Sequence, residues 1–523
     1  MKRRSFLKHT AAATTLPVLI GGMNITAFGR NSLFASMLRN AAETGHVLVL
    51  IQLNGGNDGL ATVIPLDQYD RLQPVRSNII IPEASVLKLT DETGLHPAMG
   101  GIKSLINEEK VGILQSVGYP NPNFSHFRST DIWETGSASE VKLTSGWMGR
   151  YLDQVYPGFP DGYPNAEMPD PLAITIGSIV SNTCQGAVTN LGMAITDPEA
   201  FSRLLEGGVD EAPNTPYGHE LTFLRQTMQQ TNRYIEVIQA AVENQANLSD
   251  LYPEPRSNRL ADELKIVAQL IGGGLKTSVY VVNLGGFDTH ANQVNPNDPL
   301  AGEHANLLNW LSEAIVAFQD DIEKMGVADR VVGMTYSEFG RRIQSNGSFG
   351  TDHGAAAPLM VFGHQVNPII HGNNPQIPEE VDVKDSLPMQ FDFRSVYGSI
   401  LMDWFDAPED LIKDILFQDF QHIPVIKSSS VDREQELHKS WSLHQNYPNP
   451  FRSSTRIRFE TEGGWVQIKV FNSMGQEIET VTDRHFGPGV HELFYDGHRL
   501  SRGIYYYRMQ YGNQQAVKMM SKR

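Results

Sequence analysis

The sequence predicts an α/β protein organised on a doubly wound, mostly parallel sheet, followed by a small C-terminal all-β sandwich. Three observations lead there: short apolar runs that end at polar loops, long helical stretches between them, and an abrupt change of texture after residue 442. Strands alternating with helices indicate a sheet covered on both faces.

The first run, HVLVLIQL at 46–53, is almost continuously apolar and stops at NGGNDG, which reads as a buried parallel strand meeting a tight loop. The pattern recurs at 111–117, 172–178, 278–284, 330–336 and 358–363, with helical stretches at 219–247, 258–272 and 303–325. Functional sites of such sheets lie beyond the carboxyl ends of the strands. The unusual polar residues of this chain stand at those ends.

A chain of 523 residues exceeds one ordinary core, since a domain takes roughly 150. The large α/β domain spans 46–427, and the polar, charged stretch 428–442 reads as a linker. From 443 to 523, STRIRF, WVQIKVFN, HELFYDG and GIYYYRM alternate apolar and polar residues between Gly, Asn and Asp turns, the pattern of a small antiparallel sandwich. Hydrophobic content of 40% with 46 Gly and 29 Pro describes a soluble, loop-rich chain, and no stretch is long enough to anchor the mature protein in a bilayer. A net charge of −17 excludes nucleic acid as the main partner. The single cysteine, Cys184, forbids an intrachain disulfide and reads as a packed core residue.

Residues 1–45 form a leader. Its opening MKRRSFLKHT sets Arg3 and Arg4 ahead of a weakly apolar run too short to span a membrane, which resembles a twin-arginine signal and implies the twin-arginine translocase as a partner.

Three strand ends deliver metal-competent groups, Asp58, then Asp288 and His290 in GGFDTH, then Glu338 in YSEFGRR, and a fourth set, Asp352 and His353, lies in GTDHGAAAP. Carboxylate and imidazole donors converging from separate loops are what a divalent-metal site needs, although each Asp alone could be a turn residue or helix cap. Zn, Mn or Ca, as one or two ions, fits these donors. The oxygen preference of Ca sits poorly with His290 and His353. Ser125, before the helical stretch HFRSTDIWET, is either a nucleophile or that helix's cap, with Ser129 and Thr130 as weaker alternatives. His126 either joins the chemistry or packs in the core. Asn57, Arg128 and Arg341 are the candidate substrate contacts. The chain lacks G-x-S-x-G, a Walker loop and H-E-x-x-H, which lowers esterase, NTPase and zincin readings.

At LNGGNDGL (53–60), SHFRSTDIWETG (125–136), GWMGRYL (146–152), GGFDTHANQ (285–293), YSEFGRR (336–342) and TDHGAAAP (351–358), the sequence resembles a bacterial family of unknown function, DUF1501, placed with the alkaline phosphatases and sulfatases. The resemblance implies an alkaline-phosphatase-like sheet and a metal-dependent hydrolase of phosphate or sulfate esters acting on a small anionic ester. It casts Asp58 as the early metal ligand, Ser125 as nucleophile, Asp288 and His290 as a ligand pair and His353 as the late ligand. The Asp-His pair of that superfamily is Ser337-Glu338 here, which leaves open a fold kept for binding or surface assembly without turnover. LHQNYPNPF, VFNSMGQEI and GIYYYRM resemble the type A sorting domain of type IX secretion, implying that machinery as a partner and export through the periplasm to the outer surface or beyond.

Overall fold

The computed structural model describes residues 16–20, 23–27, 45–196, 233–427, 441–443, 446, 451–472, 477–512 and 514–522. The chain divides into two compact units between Lys427 and Ser428. Arg3 and Arg4 lie outside the described residues, as does residues 219–232 of the stretch read as a helix. Two short strands, Leu16–Ile20 and Met23–Ala27, pair antiparallel.

In the first unit, the central sheet is built from β1 (Val47–Asn54), β2 (Val111–Gly118), β3 (Ala173–Ile176), β4 (Gly192–Ile195), β5 (Val279–Gly285), β6 (Val331–Tyr336), β9 (Ala357–Phe362), β10 (Ile370–His371) and β11 (Phe391–Asp392). Its order is β10-β2-β9-β6-β1-β5-β3-β4, with β11 also on β2. Only β9 runs antiparallel to its neighbours. A polar ribbon, β7 (Arg341–Ser345) with β8 (Thr351–His353), fills the return from β6 to β9.

Alternation along β1 explains the two-sided cover. Leu48 and Leu50 face one apolar core, and Val47, Val49, Ile51 and Leu53 face the other. Helices α4 (His126–Thr135), α5 (Trp147–Val155) and α8 (Phe393–Phe405) furnish the first layer. Helices α3 (Gly100–Asn107), α6 (Arg259–Gly272) and α7 (Glu303–Lys324) furnish the second. Asn258 caps α6 by accepting from the Ala261 N–H at 3.2 Å.

Both long helices start within a residue of the sequence expectation. The strand at 192–195 has too short an apolar run to announce itself. The antiparallel sense of β9 is invisible because an apolar run carries no direction.

The second unit is one five-stranded antiparallel sheet: Trp441–Leu443, Ser454–Asn472, Glu477–Asp496, Gly503–Tyr511 and Gln514–Lys522. Trp441 and Ser442, assigned to the linker from sequence, belong to its first strand. Along Ser454–Asn472 the buried set changes from Ile457 and Phe459 to Val466, Ile468 and Val470, so the two halves of the strand bury opposite faces. Gly463 (φ +101°) and Gly464 (φ +153°) sit at the change, where a side chain would resist the bend. This is how one continuous sheet can close over a core, as a sandwich does with two.

Candidate metal centre

Every candidate group stands at the carboxyl end of the parallel strands or on the ribbon beyond it. The loop after β1 approaches that of β5 so closely that a Cβ on Gly55 (φ +126°) would meet the Asp288 nitrogen at 2.2 Å. One on Gly56 (φ +87°) would meet the Phe339 ring at 2.4 Å. The Gly-Gly pair is therefore what lets two strand ends share one site.

Arg341 fixes this approach. Its buried guanidinium donates to the carbonyls of Gly55, of Gly56 (2.8 Å), of Phe287 (2.8 Å) and of Thr351 (2.8 Å), and to Asp288 Oδ1 (2.8 Å). Burial alone would raise the Asp288 carboxyl, but the hydrogen bond and charge of the Arg341 guanidinium outweigh it and hold the pKa down to about 2.

Three imidazoles surround Asp288, and the partner of each Nδ1 fixes its tautomer. His353 Nδ1 faces the Phe124 carbonyl at 2.8 Å, His290 Nδ1 faces Asp352 Oδ1 at 3.0 Å, and His126 Nδ1 faces Glu338 Oε1 at 2.9 Å. These oxygens only accept, so each Nδ1 carries the proton and each neutral ring presents a lone pair at Nε2. Those lone pairs converge. His290 Nε2 and His353 Nε2 are 2.9 Å apart, Asp288 Oδ1 lies 3.2 Å and 3.1 Å from them, and His126 Nε2 lies 3.5 Å from Asp288 Oδ2. Ligand atoms of His126, Asp288 and His353 all fall within 4.8 Å of one another.

Lone pairs facing lone pairs repel unless positive charge sits among them. A shared proton is a poor answer at neutral pH, because burial pushes the His353 imidazole below its ordinary value. The spacings suit neighbouring ligands about 2.0–2.2 Å from one small cation, and the donor set of imidazole nitrogen plus carboxylate oxygen suits Zn or Mn better than Ca.

The remaining sequence candidates are engaged differently. Asp352 and Glu338, grouped with the ligands from sequence, face Nδ1 atoms, on the far side of their rings from Nε2. Glu338 is fully buried, and its Oε1 also takes the Gly55 N–H at 2.8 Å. Asp58 is not drawn into the cluster: its Oδ2 meets Arg76 Nη1 at 2.6 Å and Gln293 Nε2 at 2.6 Å, all buried. Its pKa is lowered despite burial, which alone would raise it, through the Arg76 charge and hydrogen bond.

Asn57 is also buried and accepts from Thr62 at 2.9 Å, so it offers no open substrate contact. Arg128 spends its guanidinium on Asp131 and on the carbonyls of Ala138 (3.2 Å), Ser139 (3.0 Å) and Val141 (2.6 Å). Ser125 is exposed at the N-cap of α4 and makes no side-chain capping bond. Ser129 is buried, its Oγ 2.5 Å from the Asn123 carbonyl. Sequence reasoning missed Arg76 altogether, since nothing local marks one Arg in a polar stretch as the partner of Asp58.

Two further histidines lie buried beside Asp58. His304 Nε2 is 3.1 Å from Asn57 Oδ1, and His96 Nδ1 accepts from the Ala98 N–H at 3.1 Å. Burial pushes them down from 6.5, to about 4 for His304 and about 3 for His96. Between those values and 6.5 the unfolded chain binds protons that the folded chain refuses, so stability falls as pH drops. The loss should reach about 1.4 kcal/mol per pH unit for each ring. Thermal melts of chelator-treated protein from pH 7 to 4.5 should show this slope, and His304→Asn should flatten it. Equal melting at both ends would refute the assignment.

The C-terminal sorting-domain model, described as a secretion system C-terminal sorting domain, matches residues 445–523. It marks the chain for type IX export to the cell surface or extracellular space. No described helix is long and apolar enough to cross a membrane. No curated protein matches the chain. Similar solved structures include a phosphonate monoester hydrolase from Silicibacter pomeroyi, at 10% identity and TM-score 0.30 over 91% of this chain and 88% of that one. A sulfatase from Pseudoalteromonas sp. aligns at 10% identity and TM-score 0.33, covering 91% and 90%. An alkaline phosphatase from the Antarctic bacterium TAB5 aligns at 9% identity and TM-score 0.26, covering 62% and 94%. A family model described as protein of unknown function (DUF1501) matches residues 83–391, more than half of the chain and all of the cluster around Asp288, and the chain belongs to that family.

Proposed function

We propose that the protein is an exported hydrolase of phosphate or sulfate esters that holds one divalent cation, Zn or Mn, on His126, Asp288, His290 and His353. The observation that carries this is the convergence of three imidazole lone pairs on one carboxylate, each ring held in that tautomer by an acceptor behind it. When bound, such a cation polarises the ester oxygens and offsets charge on the leaving group.

The chain's own residues supply the rest. Asp352 and Glu338 orient His290 and His126, and Arg341 anchors Asp288. Ser125 stands where the free N–H groups at the start of α4 favour an anion, and its hydroxyl is not spent on capping. Its oxygen bonds to phosphorus or sulfur as the bond to the alcohol oxygen breaks, the serine proton ends on the departing alcohol, and water then cleaves the serine ester, restoring the Ser125 hydroxyl and releasing phosphate or sulfate. Asp58 argues for one ion rather than two, because the Arg76 guanidinium already neutralises it.

Elemental analysis of full-length protein should find one equivalent of Zn or Mn. A panel of phosphate monoesters, diesters and sulfate esters should show turnover that a chelator abolishes and the metal restores. Absence of both cation and turnover would instead favour a secreted binding or surface-assembly protein.

A further inference from the structure

Three large apolar side chains on segments that reach toward the proposed cation centre are exposed: Phe127 is 93% exposed, Val383 63% and Phe124 43%. Phe127 and Phe124 are tied directly through the backbone to groups of the centre, and Val383 is tied at one remove through Arg342. Phe127 follows His126. The Phe124 carbonyl receives His353 Nδ1 at 2.8 Å. The Val383 carbonyl receives Arg342 Nη1 at 3.0 Å, and Arg342 Nε lies 3.3 Å from the His353 carbonyl.

Single exposed apolar residues are ordinary. Phe124 and Phe127, two residues before and one after His126, both forgo burial, with Val383 on a segment bonded toward His353, and exposure of this kind at a polar centre marks a surface that waits for something apolar. Phe127 is not a slip of the helix stripe. The core face of α4 is Ser129, Ile132 and Trp133, and Phe127 lies off it among polar neighbours. The net charge of −17 opposes a polyanionic ligand and favours a single anionic group with an uncharged remainder.

We infer that this rim receives the organic part of the substrate, so that the ester is one of an apolar, ring-bearing alcohol, its anionic head on the cation and its ring against Phe127 and Phe124. The inference rests on the hydrolase reading above and specifies its substrate class. Offset or edge-to-face contact with two phenyl rings suits an aryl group, and a bare anion gains nothing from them.

Equilibrium binding separates this idea from the reaction itself. Metal-loaded full-length protein is titrated calorimetrically with phenylphosphonate and with methylphosphonate, which share the anionic head and resist hydrolysis. Phenylphosphonate should bind about tenfold tighter or more. Phe127→Ser should bring it close to the methylphosphonate level with the melting temperature unchanged. Equal affinity of the two probes for the wild-type protein overturns the inference alone, as does a preference that survives in both Phe127→Ser and Phe124→Ser. A large drop in melting temperature in Phe127→Ser also overturns it, because the ring would then be packed against the chain. Failure of both probes to bind overturns the hydrolase reading and this inference together.

Discussion

Asp288→Asn should cost the protein its cation, lowering affinity by at least about a hundredfold and removing turnover with it. Loss of even an outer partner typically costs metal affinity 10–100-fold, and the proposed centre uses Asp288 as a direct ligand. Its Oδ1 is the point on which His290 Nε2 (3.2 Å), His353 Nε2 (3.1 Å) and Arg341 Nη2 (2.8 Å) all converge. The amide keeps the size of the side chain but removes the negative charge, so three lone-pair donors would face a neutral group beside a buried guanidinium.

Asp352→Asn gives the calibrating contrast. It touches only His290 Nδ1 among the rings, so it should cost affinity within the 10–100-fold range and leave measurable turnover in excess metal. Elemental analysis after dialysis, followed by titration against a chelator of known affinity, reads both. A full equivalent of metal retained by Asp288→Asn would remove this carboxylate from the centre.

The difference between those two aspartates is where sequence reading reached its limit. Both sit in short glycine-bearing stretches, GGFDTH and GTDHG, both have a histidine within two residues, and both look like ligands in one dimension. Which face of an imidazole a carboxylate meets depends on how loops from different strands are brought together. Here that is settled by the close approach at Gly55 and by five donations from Arg341, none of which has a local sequence signature. The strands themselves were legible because burial on both faces forces continuous β-branched runs, as at Val47–Asn54 and Val279–Gly285. The ribbon Arg341–Ser345 was not, being polar and short. Asp58 shows the same limit from another side. Its partner Arg76 is the C-cap residue of the short helix Tyr69–Val75, at a position with no apolar or spacing pattern to mark it.

Ser125→Ala should lower turnover by about a thousandfold or more while leaving the bound cation and the melting temperature untouched. Ser125 is exposed and its side chain caps nothing, so its removal should shift stability by no more than about 0.5 kcal/mol. Ser129→Ala should do the opposite. Its Oγ is buried between the Asn123 carbonyl and the Tyr119 hydroxyl (3.0 Å), and Tyr119 in turn receives the Asn123 N–H at 3.1 Å. Deleting it removes hydrogen bonds from this set at about 0.5–1.5 kcal/mol, because the Tyr119 hydroxyl still donates to the Asn123 carbonyl at 3.2 Å, and loosens the loop that carries Ser125. Turnover should then fall modestly, with thermal stability falling most. Measuring melting temperature, metal content and kcat/KM on the two variants side by side separates a nucleophile from a scaffold. Full turnover in Ser125→Ala with the cation still bound would mean that the attacking oxygen is not this serine, and a water molecule would have to take that part.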